Sequence, residues 1–301
     1  MVEKEQQHIC VCVCTHKRPH LLKRTLEGIA RQETGGLFTY SIVVADNDLL
    51  ESARPAVSEF RAVCPLPVEY CVETDQNIAK ARNKALESAR GNFIAFIDDD
   101  EFPAPNWLLT MFRFCLESGA DGALGPVKPY FDDPPPKWIL RGKFCDRSEH
   151  PTGSELDWRQ TRTGNVLFKR KMIEGMEGPF RLEFGTGGED QDFFRRMMQK
   201  GHRFVWCNEA VVHEVVSPHR WRRAYMLRRA LQRGQNEKQL LTLGSLGKSF
   251  VAVPCYTLLA PVLLLVRHDI FMKCLIRLCD HAGKLLAAAG FKPVGGRYIG
   301  H

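Results

Sequence analysis

The chain holds 11 cysteines but no CxxC pair, which argues against a structural zinc site. Cys10, Cys12 and Cys14 alternate along one face of what reads as the first strand. Neighbours there cannot pair, and the thiols act as small hydrophobes. The count is odd, and the opening MVEKEQQH is too polar for a secretory signal, so a reducing, cytoplasmic compartment is expected. No GxGxxG or GxxxxGK[ST] follows the first strand, which disfavours a dinucleotide-binding domain and a P-loop NTPase. Excess charge is scarce too. A net charge of +7 on 301 residues is modest, and 44% hydrophobic with 26% charged residues excludes a disordered chain. The basic excess gathers in His219 to Arg233, which has arginine at 220, 222, 223, 228, 229 and 233 and no acid.

What the chain does have is FIAFIDDDEFP. Five apolar residues, Phe93 to Ile97, run directly into Asp98, Asp99, Asp100 and Glu101. Such a run reads as a buried strand of a largely parallel sheet, and open α/β sheets bind ligands at the carboxyl ends of their strands. Adjacent carboxylates repel. A hard divalent cation, Mg²⁺ or Mn²⁺, relieves the repulsion and bridges to phosphates, whereas a solvated acidic turn is the plainer reading.

Strand and helix alternate before this run. HICVCVCT, SIVVADND and VEYCVE read as strands, and RPHLLKRTLEGIARQ and IAKARNKALESAR as helices. After it come the helix NWLLTMFRFCLES, a strand GALGPVKPYF, a long Pro- and Gly-rich loop from Asp132, the strand TGNVLFKR and the helix EDQDFFRRMMQKG. RFVWCN and AVVHEVV are the last strands before the basic helix. The fold class is therefore α/β, a mostly parallel Rossmann-like sheet flanked by helices. Phe250 to Val266 is 17 residues without charge, the lower limit for crossing a bilayer, and Pro254 and Pro261 interrupt it. A re-entrant or interfacial segment on the cytoplasmic face is expected, beside a basic helix suited to anionic headgroups, and a buried core helix is the alternative.

In order, CVCTHKRPHLLKRTLEGI, VVADND, NIAKARNKAL, IDDDEFP and GGED resemble the family 2 glycosyltransferases, notably bacterial members that build exopolysaccharides or modify lipid-linked sugars. Asn77 stands where that family usually has glycine. The resemblance implies the GT-A fold, with a catalytic domain over 8–218 and a basic, membrane-associating helical region over 219–301. It implies inverting, metal-dependent transfer of a single sugar from a nucleotide-diphosphate sugar, a UDP-sugar first, to a saccharide or lipid-linked acceptor. Asp98 and Asp100 would hold the metal, with Asp98 or Asp99 facing the ribose. Thr15, Arg18, Asp46, Asp48 and Arg82 would line the nucleotide. Asp190 would be the catalytic base, with Glu189 on acceptor hydroxyls or orienting the loop. His213 would be a further metal or diphosphate contact, and Trp138 would stack on the acceptor.

Plainer roles stand beside these. Asp190 or Glu189 would cap the following helix. Arg82 would be a surface arginine, Asp48 a turn residue, His213 structural and Trp138 a loop anchor. The chain lacks the QxxRW pattern of processive relatives, so single transfer is expected. A metal-dependent nucleotidyltransferase and a non-catalytic nucleotide- or membrane-binding module are the alternatives. A nucleic-acid partner is not expected, because the acids would repel its phosphates.

Overall fold

The computed structural model describes residues 6–185, 187–236, 242–291 and 294. Two compact units emerge: Met1–Tyr130 with Arg147–Val215, and Phe131–Asp146 with Val216–His301.

The first unit alternates as β1 (Gln7–Thr15), α1 (Pro19–Ala30), β2 (Phe38–Asp46), α2 (Arg54–Val63), β3 (Val68–Val72), α3 (Ile78–Ser88) and β4 (Phe93–Asp98). It continues with β5 (Glu101–Pro103), α4 (Trp107–Ser118), β6 (Gly122–Leu124) and β7 (Val127–Tyr130). After the excursion into the second unit come β8 (Asn165–Lys169), α6 (Glu189–Gln199), β9 (Phe204–Trp206) and β10 (Val212–Val215). A 7-stranded sheet has the order β3-β2-β1-β4-β8-β6-β9. Its strands pair in parallel except β8, which is antiparallel to both β4 and β6. A second, 3-stranded sheet is ordered β5-β10-β7. The apolar FIAFI run is the centre of the large sheet, as a strand buried on both faces should be.

Strand periodicity sorts the core. Ile9, Val11 and Val13 face α1, α2 and α4 with Leu22, Leu26, Trp107 and Phe112. Cys10 and Cys12 face the opposite layer, with Ala79 and Ala85 of α3 and Phe193 and Phe194 of α6. All the cysteines are free, and Cys10 and Cys12 serve as small apolar fillers in this layer. One expectation changes: GALGPVKPYF is two strands in two sheets. Gly125 makes the crossing possible, because a Cβ there would strike the Ala210 carbonyl.

The second unit contains α5 (Lys137–Gly142), α7 (Arg223–Asn236), α8 (Leu243–Val266) and α9 (His268–Ala288). α8 passes through Pro254 and Pro261 without a break, where the sequence predicts interruption. Each proline removes one N–H···O bond, and a 24-residue helix absorbs two such losses. Among the described residues, α8 is the one helix long and apolar enough to cross a membrane. The long loop expected from Asp132 begins with α5, whose Trp138 lies edge-on to Phe144 and His268, with ring centroids 5.2 and 5.1 Å away.

Candidate active site

The carboxyl end of β4 carries the densest charge in the first unit. Asp99 is 2% exposed and accepts a 2.7 Å hydrogen bond from Thr15 Oγ1 at the end of β1. Arg18, the residue before α1, reaches Asp100 at 2.9 Å and Asp99 at 3.3 Å. Thr25 of α1 donates to the carbonyls of Asp99 and Glu101, at 2.9 and 2.6 Å, and so pins the acidic turn from below. Burial raises the Asp99 pKa to about 7, against the pull of Arg18.

Glu101 is fully buried and accepts the Asp98 N–H at 3.2 Å. Its other oxygen has no partner among the described residues. Across the β5–β10 ladder it faces Glu214, which Arg147 holds at 2.5 Å. Burial, then the charge of Asp98, raises the Glu101 pKa well above the carboxylate range, while Arg147 opposes this. A Cβ on Gly164 would lie 2.8 Å from Glu101 and 3.0 Å from Asp98, so the chain ahead of β8 presses against the acids.

The donor set suits a hard cation, being all carboxylate oxygen. Among the described residues no group of three His, Cys, Asp or Glu side chains is arranged to hold a metal by itself. Asp98 and Asp100 would supply the one or two carboxylates that an ion of the Mg²⁺ kind takes before completing its shell with phosphates and water.

The Gly187–Gly188 turn, with positive φ of 128° and 96°, starts α6. Glu189 is buried and paired with Arg82 of α3. Asp190 is half-buried, and its carboxylate accepts the Gln191 N–H at 2.8 Å. Asn77 caps α3 through the Ala79 and Lys80 N–H groups, at 2.9 and 3.2 Å, and donates to the Leu182 carbonyl at 3.1 Å. Asn83 exchanges two hydrogen bonds with the Phe180 backbone, at 2.8 and 2.9 Å. The NIAKARN segment is thus the mount for the GGED turn. An asparagine where the family prefers glycine is explained by the cap. Arg82 faces Glu189, so it braces that turn instead of lying open to a nucleotide.

Asp46 is fully buried at the end of β2, its Oδ2 taking the Ala53 N–H and the Tyr70 hydroxyl at 2.9 and 2.8 Å. Its Oδ1 has no partner among the described residues, and burial raises its pKa. Asp48 is 4% exposed and accepts the Leu50 N–H at 3.3 Å, the turn role its position allows.

The structure brings Thr15, Arg18, Asp98, Asp99 and Asp100 together. It does not join His213 to them. Its ring stacks on Phe102 at 5.3 Å, and burial with the charges of Lys128 and Arg24 lowers its pKa. Strand alternation gives the carboxylate side of β10 to Glu214 instead. Trp138 belongs to the second unit, where its edge contacts are those of a packing anchor. Sequence reasoning missed Glu101, Glu214, Arg147 and Arg162. Glu101 was legible as the fourth acid of the run; the others carry no local signal.

A parallel-dominated sheet with acids at the end of its central strand is the arrangement of the GT-A fold, and the comparisons agree. Residues 10–176 match the family described as Glycosyl transferase family 2. The succinoglycan biosynthesis protein ExoM of Rhizobium meliloti is 34% identical over 238 residues, 79% of this chain and 76% of that protein. A hyaluronan synthase of Pasteurella multocida is 27% identical over 67% of this chain and 24% of its own length. A mannosyltransferase from Pyrobaculum calidifontis, solved with GDP-Man and Mn²⁺, has a TM-score of 0.63 at 19% identity, covering 95% of this chain and 87% of its own. TarS 1–349 of S. aureus, solved with UDP, has a TM-score of 0.54 at 16% identity, covering 95% and 93%. The chain belongs to glycosyl transferase family 2 and has the GT-A fold.

Proposed function

We propose that the chain transfers one sugar, with inversion, from a nucleotide-diphosphate sugar to a hydroxyl of a saccharide or lipid-linked acceptor in exopolysaccharide assembly. The observation that carries this is the acidic run at the end of the central strand β4, where Thr15 and Arg18 hold Asp99 and Asp100 at 2.7 to 3.3 Å. Similarity to a succinoglycan biosynthesis protein supports the polysaccharide context.

In this reading Asp190 accepts the proton of the acceptor hydroxyl as its oxygen attacks the anomeric carbon. The bond from that carbon to the diphosphate oxygen breaks, and the nucleoside diphosphate leaves with the electron pair. Asp98 and Asp100 would hold Mg²⁺ or Mn²⁺, which supplies positive charge to the leaving diphosphate. The unpartnered Asp46 Oδ1 suits an N–H donor of the base, and a uracil is the first expectation. Arg82 pairs with Glu189, the residue next to Asp190 in the chain, and would orient it. Phe250 to Val266 and the arginines of α7 would meet the cytoplasmic membrane surface.

Asp190→Asn is expected to bind donor nucleotide as wild type does and to transfer nothing, checked by nucleotide thermal shift beside a radiolabelled transfer assay. Near-wild-type turnover removes Asp190 as the base. Asp100→Ala is expected to abolish the stabilisation that nucleoside diphosphate gives only with Mn²⁺, and unchanged affinity removes the metal assignment. The anomeric configuration of the product, read by NMR against that of the donor, decides inversion.

A further inference from the structure

Arg162 lies just ahead of β8, in a stretch the chemistry above leaves unused. β8 runs antiparallel to β4 with Asn165 opposite Ile97, so residues before Asn165 pass beyond the end of β4, alongside the acidic run. The tight approach of Gly164 to Glu101 and Asp98 fixes that course. The other arginines of this region each have a carboxylate: Arg18 has Asp99 and Asp100, Arg82 has Glu189, and Arg147 has Glu214. Arg162 is half-buried and, among the described residues, makes no hydrogen bond or ion pair. Burial first, then the repulsion of Arg147, lowers its pKa, while Glu101, Glu214 and Asp190 pull the other way. Its guanidinium has no carboxylate of its own, and a planar fork of N–H donors is the side chain best shaped for a phosphoryl group.

We propose that Arg162 binds the donor's diphosphate, gripping the leaving group from the β8 side while the acidic run faces it from β4. This rests on the sugar-transfer reading and deepens it. A phosphate of a lipid-linked acceptor has the same chemistry, and its proximity to Asp190 makes it the rival source. Position favours the donor: the contacts that fix the segment are with Asp98 and Glu101 at the end of β4. With Arg162 in place, negative charge that develops as the glycosidic bond breaks meets a fixed cation, so its loss should be felt in diphosphate binding and in turnover.

The test uses the full chain and its Arg162→Gln and Arg162→Lys variants with Mn²⁺. Each is titrated by calorimetry with the nucleoside diphosphate that most stabilises wild type and with the matching monophosphate. Arg162→Gln should weaken the diphosphate by about tenfold to a hundredfold while shifting the monophosphate by less than about twofold. Arg162→Lys should keep part of the affinity, since charge remains but the fork is lost. Unchanged diphosphate affinity with a raised acceptor KM would assign Arg162 to the acceptor and overturn the proposal. Equal weakening of monophosphate and diphosphate would also overturn it, by marking a structural effect. If Arg162→Gln does not fold, Arg162→Lys decides between these outcomes through the same ratio of diphosphate to monophosphate affinity. Wild type that binds neither nucleotide fails the sugar-transfer reading itself, a result separate from any difference among variants.

Discussion

Asp99 shows how one side chain can be built into a site yet held from ionising freely. Thr15 and Arg18 favour its charged form, but enclosure dominates and brings its pKa to about 7 from 3.8. The folded chain therefore keeps this proton at a pH where the unfolded chain has released it. Between pH of about 4 and 7, unfolding releases a proton, so this group's contribution to stability falls as pH rises and levels off above about 7. Asp99→Asn, which cannot ionise, is expected to flatten that part of the curve in the ligand-free chain. Denaturant midpoints taken across pH 4–8 check it, and an identical slope in the variant would remove Asp99 as its source. At this scale the acids Asp98 to Glu101 were legible because they adjoin an apolar strand in sequence. Glu214 was not, since its partner Arg147 is 67 positions away. His213 misled because a histidine at a strand end looks like a ligand, while the identity of the outward face of β10 depends on register with β5.

The helix α3 is the element that holds the segment from Phe180 to Glu189 in place. The sequence predicts it over IAKARNKALESAR, and Ala79, Ala81, Arg82, Asn83, Ala85 and Leu86 are its buried residues. Its function was less visible, because Asn83 acts on Phe180, 97 positions away. Both groups of the Phe180 backbone are satisfied by that one amide, and Phe180 itself packs at 4.8 Å on Phe193 of α6. Asn83→Ala leaves a buried N–H and a buried C=O unpaired, a loss of about 1–3 kcal/mol for each group. The expected outcome is a lower melting temperature with turnover reduced far more than nucleotide affinity, because β1, β2 and β4 still shape the nucleotide side. Parallel thermal-shift titrations and rate measurements test this, and proportional loss in both would place Asn83 in general stability instead of loop positioning.

At the scale of the molecule, the apolar surface of α8 is what a membrane contact would use. α8 exposes Leu258 at 77% and Leu265 at 90%, a surface that water disfavours. Length alone permits a span, but the partner of α8 does not. Ser249 meets His281 at 3.0 Å and the Tyr256 carbonyl meets Cys274 at 3.4 Å, so α8 and α9 form an antiparallel hairpin along their lengths. α9 carries Lys273, Arg277, Asp280 and Lys284, and a transbilayer α8 would draw these into hydrocarbon at about 2.5–3.5 kcal/mol for each charge near the centre. The two prolines also leave carbonyls of α8 without their helical donors, which headgroups and water can satisfy and lipid tails cannot. A hairpin lying in the interface of one leaflet meets all three constraints. A protease site inserted at the α8–α9 turn, between Arg267 and His268, should therefore be cut along with an amino-terminal tag in inside-out membrane vesicles and protected with it in right-side-out ones. A turn site reached from the face opposite the amino-terminal tag would establish a span. Leu258→Asp with Leu265→Asp should release the chain from vesicles rich in anionic lipid while nucleotide binding persists, and a doubly substituted chain that still floats with the vesicles would move the membrane contact away from α8.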